Sequence, residues 1–303
     1  MIIGVVILAG FGAGVSSFAA PRVVATTTIV GDVVDRIGGG AIDLTVLFPR
    51  DVDPHTFEAV PRDVAVLAAA DLVFVNGAGL EQAIAPLLDQ TAGRIVDLSD
   101  GLPLIAADAD AHDDDPDEHG HGVDVDPHVW FDPLLVARWL DAIVMALSEA
   151  APTEAEAFRG RADAYRTRLE ELDAWIRAAV EGVPIERRRL VTDHASLGYF
   201  AARYGFEQIG AVFPGFSTLA EPSARELAVL EDAVIASGAG VIFVGATVAP
   251  SLIERVARDT GIRIVFLYTG ALGEIGGEAG TYLDMMRFDV EAIVAALSPE
   301  GAG

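Results

Sequence analysis

Cysteine and lysine are both absent from the 303 residues. Without cysteine there is no disulfide, no thiolate nucleophile and no zinc-cysteine site, so any metal falls to nitrogen and oxygen donors. The lipid-attachment residue of a lipoprotein is missing too, and the sequence by itself leads us to expect a protein that is not a lipoprotein. All 20 basic residues are arginine, which removes the Walker lysine of a P-loop, the Schiff base and the lysine general base. Positive charge is scarce in total: 46 acidic residues leave a formal charge of -26. Such a surface repels phosphate backbones and retains cations, which argues against nucleic acid as a partner. Beyond the amino terminus no run approaches the roughly 20 apolar residues of a membrane span.

What is present begins with an apolar stretch, Met1 to Gly14, followed by small residues up to Ala20 and the first charge at Arg22. It reads as a signal peptide over residues 1–20, with cleavage near Ala19 or Ala20, although no basic residue precedes the apolar run and retention as an anchor is the alternative. Short β-branched runs then alternate with helical ones. Strands are expected at Val23–Thr28, Leu44–Phe48, Leu72–Asn76 and Arg94–Leu98, with helices at Val30–Ile37, Arg62–Ala70 and Gln82–Leu88. The grammar returns with strands at Arg189–Thr192, Gln208–Phe213, Val241–Val244 and Ile264–Tyr268. Helices at Ala195–Tyr204, Ala224–Ser237, Pro250–Thr260 and Thr281–Leu297 separate and follow them. Parallel α/β layering follows from this alternation.

Pro133 to Val183 holds no strand candidate. Thr153 stands as the cap of one long helix to Val180, whose apolar positions Phe158, Ala162, Tyr165, Leu169, Leu172, Trp175, Ile176 and Ala179 recur at helical spacing. At 1.5 Å per residue it spans roughly 40 Å, enough to tie two lobes into a nearly fixed relation, or to serve as the core helix of one large domain. The expected division is an N-terminal lobe over 21–132 with an acidic loop at 108–126, a helical connector over 133–183 and a C-terminal lobe over 184–303.

Six histidines fall in four short segments: Asp53-Pro54-His55, the 108–126 loop, Asp126-Pro127-His128 and Asp193-His194. His55 lies between prolines after a strand. His128 repeats the Asp-Pro-His motif ahead of the stiff Val129-Trp130-Phe131-Asp132-Pro133, and His194 leaves a strand where open α/β sheets present functional groups. Three imidazoles on three connections suit a transition metal. The loop carries nine acidic residues with His112, His119 and His121 and no apolar residue larger than valine. It reads as an unstructured metal-collecting tether or as a solvated acidic insert.

These segments stand in a characteristic order with Asn76-Gly77-Ala78-Gly79-Leu80-Glu81, Gly198-Tyr199-Phe200, Tyr204-Gly205, Glu221-Pro222-Ser223 and Thr281-Tyr282-Leu283-Asp284-Met285-Met286. The chain resembles the periplasmic zinc- and manganese-binding solute-binding proteins of ABC metal-uptake transporters, from about Val23 to Leu297. The resemblance implies two small parallel-sheet α/β lobes joined by the long helix, with metal in the cleft between them. It implies His55, His128 and His194 as ligands, Zn²⁺ as cargo, a monomer, and a membrane permease as partner. A histidine rather than a carboxylate at 194 points to the zinc branch, in keeping with the preference of imidazole for borderline zinc over manganese or iron. Two carboxylates usual in the family are replaced by Gly245 and Gly270, so a water, Glu274 or a group from the loop is expected at the fourth position. Affinity is expected to fall as pH drops through about 6.5, since each imidazole must lose its proton to bind.

A zinc hydrolase is the rival reading, because three histidines and an open water position also build a catalytic site, with Glu58 or Asp193 as acid or base. A nucleophilic triad of Asp193, His194 and Ser196 is weaker: residues two apart on one turn seldom align, and no Gly-x-Ser-x-Gly elbow occurs.

Overall fold

The computed structural model describes residues 19–50, 52–106, 125–213, 215–219, 223–248 and 250–299. Residues 1–18, where a signal peptide was expected, and His112, His119 and His121 lie outside the described residues. Two parallel four-stranded sheets share one order. The first is β2-β1-β3-β4, built from β1 (Arg22–Ala25), β2 (Asp43–Val46), β3 (Leu72–Val75) and β4 (Arg94–Asp97). The second is β6-β5-β7-β8, from β5 (Arg189–Thr192), β6 (Glu207–Ala211), β7 (Val241–Gly245) and β8 (Arg263–Leu267).

Period-two burial divides each sheet between two cores. Val23, Ala25, Leu72 and Phe74 face a central core, whereas Val24, Val73 and Val75 face a smaller one with Leu47, Phe57 and Leu67. In the second sheet Leu190, Val241 and Phe243 join the same central core, while Val191, Ile242 and Val244 pack with Leu227, Leu230 and Ile253. One continuous core therefore underlies both sheets. Covering the strands on both faces is what parallel sheets require.

Helices α1 (Thr28–Gly38), α4 (Pro133–Ala150), α5 (Ala155–Val180) and α9 (Tyr282–Leu297) fill that core. The 26-residue α5 is about 39 Å long and packs on α1 and α4 of the first half and on α9 of the second. Its buried stripe is Phe158, Ala162, Tyr165, Leu169, Leu172, Asp173, Ile176 and Val180, so the helix splints both sheets through side chains fixed in the core.

Three expected elements differ. Thr153 caps nothing: Pro152–Glu154 form a 3-10 turn off the end of α4, and α5 starts at Ala155 behind an uncapped Glu154. The run Gln82–Leu88 is a 3-10 turn, Gln82–Ile84, then one α turn, α3 (Ala85–Leu88), with Pro86 removing a helical donor. Helix α6 (Gly198–Tyr204) begins three residues late, because the chain first makes a tight turn in which Ser196 N–H donates to His194 O at 2.7 Å, a non-helical backbone, with Ala195 N–H donating to Gly215 O at 3.0 Å. The remaining helices, α2 (Pro61–Ala69), α7 (Ala224–Ser237) and α8 (Pro250–Thr260), cover the outer faces.

In each sheet the chain leaves its first strand toward one neighbour and returns on the other side, so a crevice opens beyond the carboxyl ends of β1 and β3, and of β5 and β7. Candidate ligands gather at these two crevices.

Candidate metal centre

His55 sits in a 3-10 turn, Pro54–Thr56, capped by Asp53, whose Oδ1 accepts the His55 backbone N–H at 3.0 Å. Asp126-Pro127-His128 repeats that cap, with the His128 N–H donating to Asp126 Oδ1 at 2.9 Å. Here the same oxygen also accepts from the ring, at 2.7 Å from His128 Nδ1. The stem of the acidic loop sets this segment: Ala106 bridges Val125 and Asp126 N–H donates to Ile105 O at 2.8 Å. Asn76 Nδ2 donates to Pro127 O at 2.9 Å, fastening it to the end of β3. Beyond β5, Asp193 Oδ1 accepts from both the backbone N–H and Nδ1 of His194, at 2.6 and 2.8 Å, and its Oδ2 takes the Gly245 N–H at 2.6 Å.

Two carboxyl groups thus engage Nδ1 of His128 and of His194, so that in the neutral Nδ1–H form of each ring Nε2 is the free acceptor. These atoms converge. His128 Nε2 lies 3.2 Å from His55 Nε2 and 3.1 Å from His194 Nε2, and the ligand atoms of all three lie within 4.8 Å of one another. Tetrahedral zinc with bonds of about 2.05 Å places neighbouring donors about 3.3 Å apart. Lone pairs aimed at each other at such separations repel unless a proton or cation sits between them. The rings are 8, 1 and 3% exposed for His55, His128 and His194, so water cannot take that role freely.

Burial, then repulsion from His194, lowers the pKa of His55 to about 4. Burial, then His194 and His55, drives His128 well below its ordinary value. For His194 burial also opposes charge, but the carboxylates of Asp193, Asp53 and Asp126 together outweigh it and the pKa is raised. Asp126 rises to about 7, chiefly because it is buried, against the hydrogen bond from His128. Charge is thus disfavoured on His55 and His128 and favoured on His194.

The other nominated residues do not join the cluster. Glu274 is exposed and absent from the group of ligand atoms, which among the described residues comprises the three histidines alone. A Cβ on Gly245 would meet Thr269 Oγ1 at 2.3 Å, and one on Gly270 would meet Pro54 Cδ at 2.8 Å. Restoring an acid at 270 therefore also displaces the ring next to His55. Glu58 is exposed, both oxygens of Asp193 are engaged, and Ser196 Oγ is buried without a hydrogen-bond partner, so no general base or triad is assembled.

Sequence reasoning quoted Asp126, Asn76 and Glu81 within their motifs but assigned them no role in orienting or supporting the histidines. Glu81 is buried, its pKa raised to about 7 chiefly by burial, and it accepts from Thr26 Oγ1, Asn76 N–H and Gly77 N–H at 2.7, 2.7 and 3.1 Å. It closes the turn Gly77-Ala78-Gly79, in which all three residues have positive φ. The signal was in plain view as an acid five residues after Asn76 and two residues before His128.

Residues 23–296 match the family described as zinc-uptake complex component A, periplasmic. The chain belongs to this family. As a metal ABC transporter substrate-binding protein it works by binding and transport and is not an enzyme, which removes the hydrolase reading. It is 32% identical over 286 residues to the zinc-binding protein TroA of Treponema pallidum, covering 92% of this chain and 89% of that protein. A solved structure of periplasmic zinc-binding TroA superimposes with a TM-score of 0.82 at 30% identity, covering 93% of this chain and all of that one. Manganese-binding lipoprotein MntA of Halalkalibacterium halodurans is also 32% identical, over 282 residues, 91% of this chain and 88% of the relative. That name corrects one expectation: a family whose members include lipoproteins gives no ground for excluding membrane anchorage because residues 1–303 lack cysteine.

Proposed function

We propose that this substrate-binding protein captures Zn²⁺ through His55, His128 and His194 and delivers it to the permease of its ABC transporter. The observation that carries the reading is an all-imidazole cluster whose Nε2 atoms converge at 3.1 and 3.2 Å with two Nδ1 atoms already held by buried carboxylates. Manganese, named for the MntA relative, favours oxygen donors and stands lowest in the affinity order of divalent first-row metals. The first ring of donors here is nitrogen. Asp126 and Asp193 offset the charge of the ion from behind the imidazoles instead of touching it.

Calorimetric titration of stripped protein tests this. We expect one tight zinc per chain and manganese weaker by at least about 100-fold. Manganese equal to zinc in direct competition would reject the zinc assignment.

Gly270 provides a second test. Gly270→Ala pushes Pro54 away from its 2.8 Å contact and moves His55 with it, so zinc affinity falls about tenfold, as for a lost outer support. Gly270→Asp suffers the same push but adds an anionic donor, and we expect it to bind more tightly than the alanine variant. Equal affinities for the two would show that a side chain at 270 does not reach the ion.

A further inference from the structure

We propose that Thr218 is the positioning residue that latches His55 over the ion, so that His128 and His194 form a fixed pair and His55 is the ligand that closes last and opens first. The inference rests on the zinc-site reading above.

The pair is locked from several sides. Besides the Nδ1 bonds to Asp126 and Asp193, Tyr199 on α6 donates from its hydroxyl to Asp126 O at 2.9 Å, joining the segment of His128 to the helix after His194. Gly198 lies so close that a Cβ there would sit 2.5 Å from Asp126 Oδ2. Arg203, also on α6, pairs with Asp132 and with Asp173 of α5, each at 2.9 Å. Neither imidazole can swing away without breaking contacts to a rigid helix.

His55 is held differently. Its neighbour Asp53 spends Oδ1 on the His55 backbone, leaving Oδ2 to accept from Thr218 Oγ1 at 2.6 Å. Among the described residues no partner is recorded for His55 Nδ1, so nothing fixes the ring except its loop and its fellow ligands. Thr218 lies in the C-terminal half and Asp53 in the N-terminal half, 165 residues apart, so the bond fastens one half across the site to the other. Arg50 makes a second fastening, donating to Gly273 O and Gly280 O. A rigid α5 forbids wide hinge motion, whereas unlatching this strap opens the site by moving one loop.

The test is zinc release into excess chelator followed by stopped flow, with full-length wild type, Thr218→Val and Thr218→Ser. A hydrogen bond to a carboxylate, lost here without change of shape, predicts release about tenfold faster in Thr218→Val and within about twofold of wild type in Thr218→Ser. The association rate stays unchanged, since the fixed pair captures the ion first. Arg50→Gln, which removes the second fastening of the same strap, is expected to accelerate release in the same way. Release from Thr218→Val at the wild-type rate, or a slower association with release unchanged, overturns the latch. A wild type that takes up no stoichiometric zinc overturns the zinc reading itself and is distinguished before any variant is compared.

Discussion

Zinc titration of a His128→Ala variant is expected to show no tight site. His128 is central to the cluster, with its Nε2 3.2 Å from that of His55 and 3.1 Å from that of His194, whereas the outer two rings meet edge-on with centroids 5.3 Å apart. Protein zinc sites are worth roughly 10–16 kcal/mol at neutral pH. A third of about 12 kcal/mol is about 4 kcal/mol, or close to three orders of magnitude in affinity. The variant also loses the partner of Asp126, whose pKa of about 7 lets it accept a proton instead of remaining a bare buried charge. The fold should therefore survive with a lowered melting temperature, measured by circular dichroism in the absence of zinc. Replacing His112, His119 and His121 together serves as the comparison and should leave the tight site in place. Persistent tight 1:1 binding by His128→Ala, or its loss in the triple variant, would move the site away from the three converging rings.

The architecture was legible because parallel strands announce themselves as short β-branched runs and because α5 carries an unbroken apolar stripe. Where the reading slipped, a neighbour decided the outcome. Ala195 and Ser196 have helical composition, yet the tight turn from His194 O to Ser196 N–H bends the chain away from a helix, and α6 waits until Gly198. Thr153 looks like a cap, but Pro152 turns the chain too tightly for its side chain to serve.

The site shows the same division. Asp53-Pro54-His55 and Asp126-Pro127-His128 are nearly identical on paper, and both aspartates do cap the backbone of their histidine. Sequence cannot tell that one aspartate also grips its ring while the other reaches across to Thr218. That difference arises from groups distant in the chain: Asn76 holding Pro127, and the Thr218 hydroxyl arriving from the other half. Three similar histidines in the sequence become, in the structure, two rings held at Nδ1 by an aspartate and one held through its backbone.

The inequality among the three rings has a consequence in solution, and the largest effect of condition on this protein is expected with pH. If each imidazole kept an ordinary pKa near 6.5, zinc would expel three protons at pH below that value and affinity would fall about a thousandfold per unit. Burial instead keeps His55 at about 4 and His128 lower than its usual range, so neither holds a proton to give up at pH 6. His194, raised against burial by the Asp193 carboxylate, does hold one, and so does Asp126 with its pKa of about 7. Both protons are disfavoured once a cation sits among the rings, because it repels the charge on His194 and draws the Asp126 carboxylate into its ionised form. Near pH 6 zinc binding is therefore expected to release about two protons, and affinity to change about 100-fold per pH unit, rising with pH and flattening above 7 as Asp126 ionises unaided. Calorimetry at pH 6 in buffers of different ionisation enthalpy counts the protons directly. In Asp126→Asn, which keeps an acceptor for His128 Nδ1 but has no acid to titrate, the count should drop to about one. Three protons released by the wild type would mean that the imidazoles titrate alike, and the division into two neutral rings and one protonated ring would be wrong.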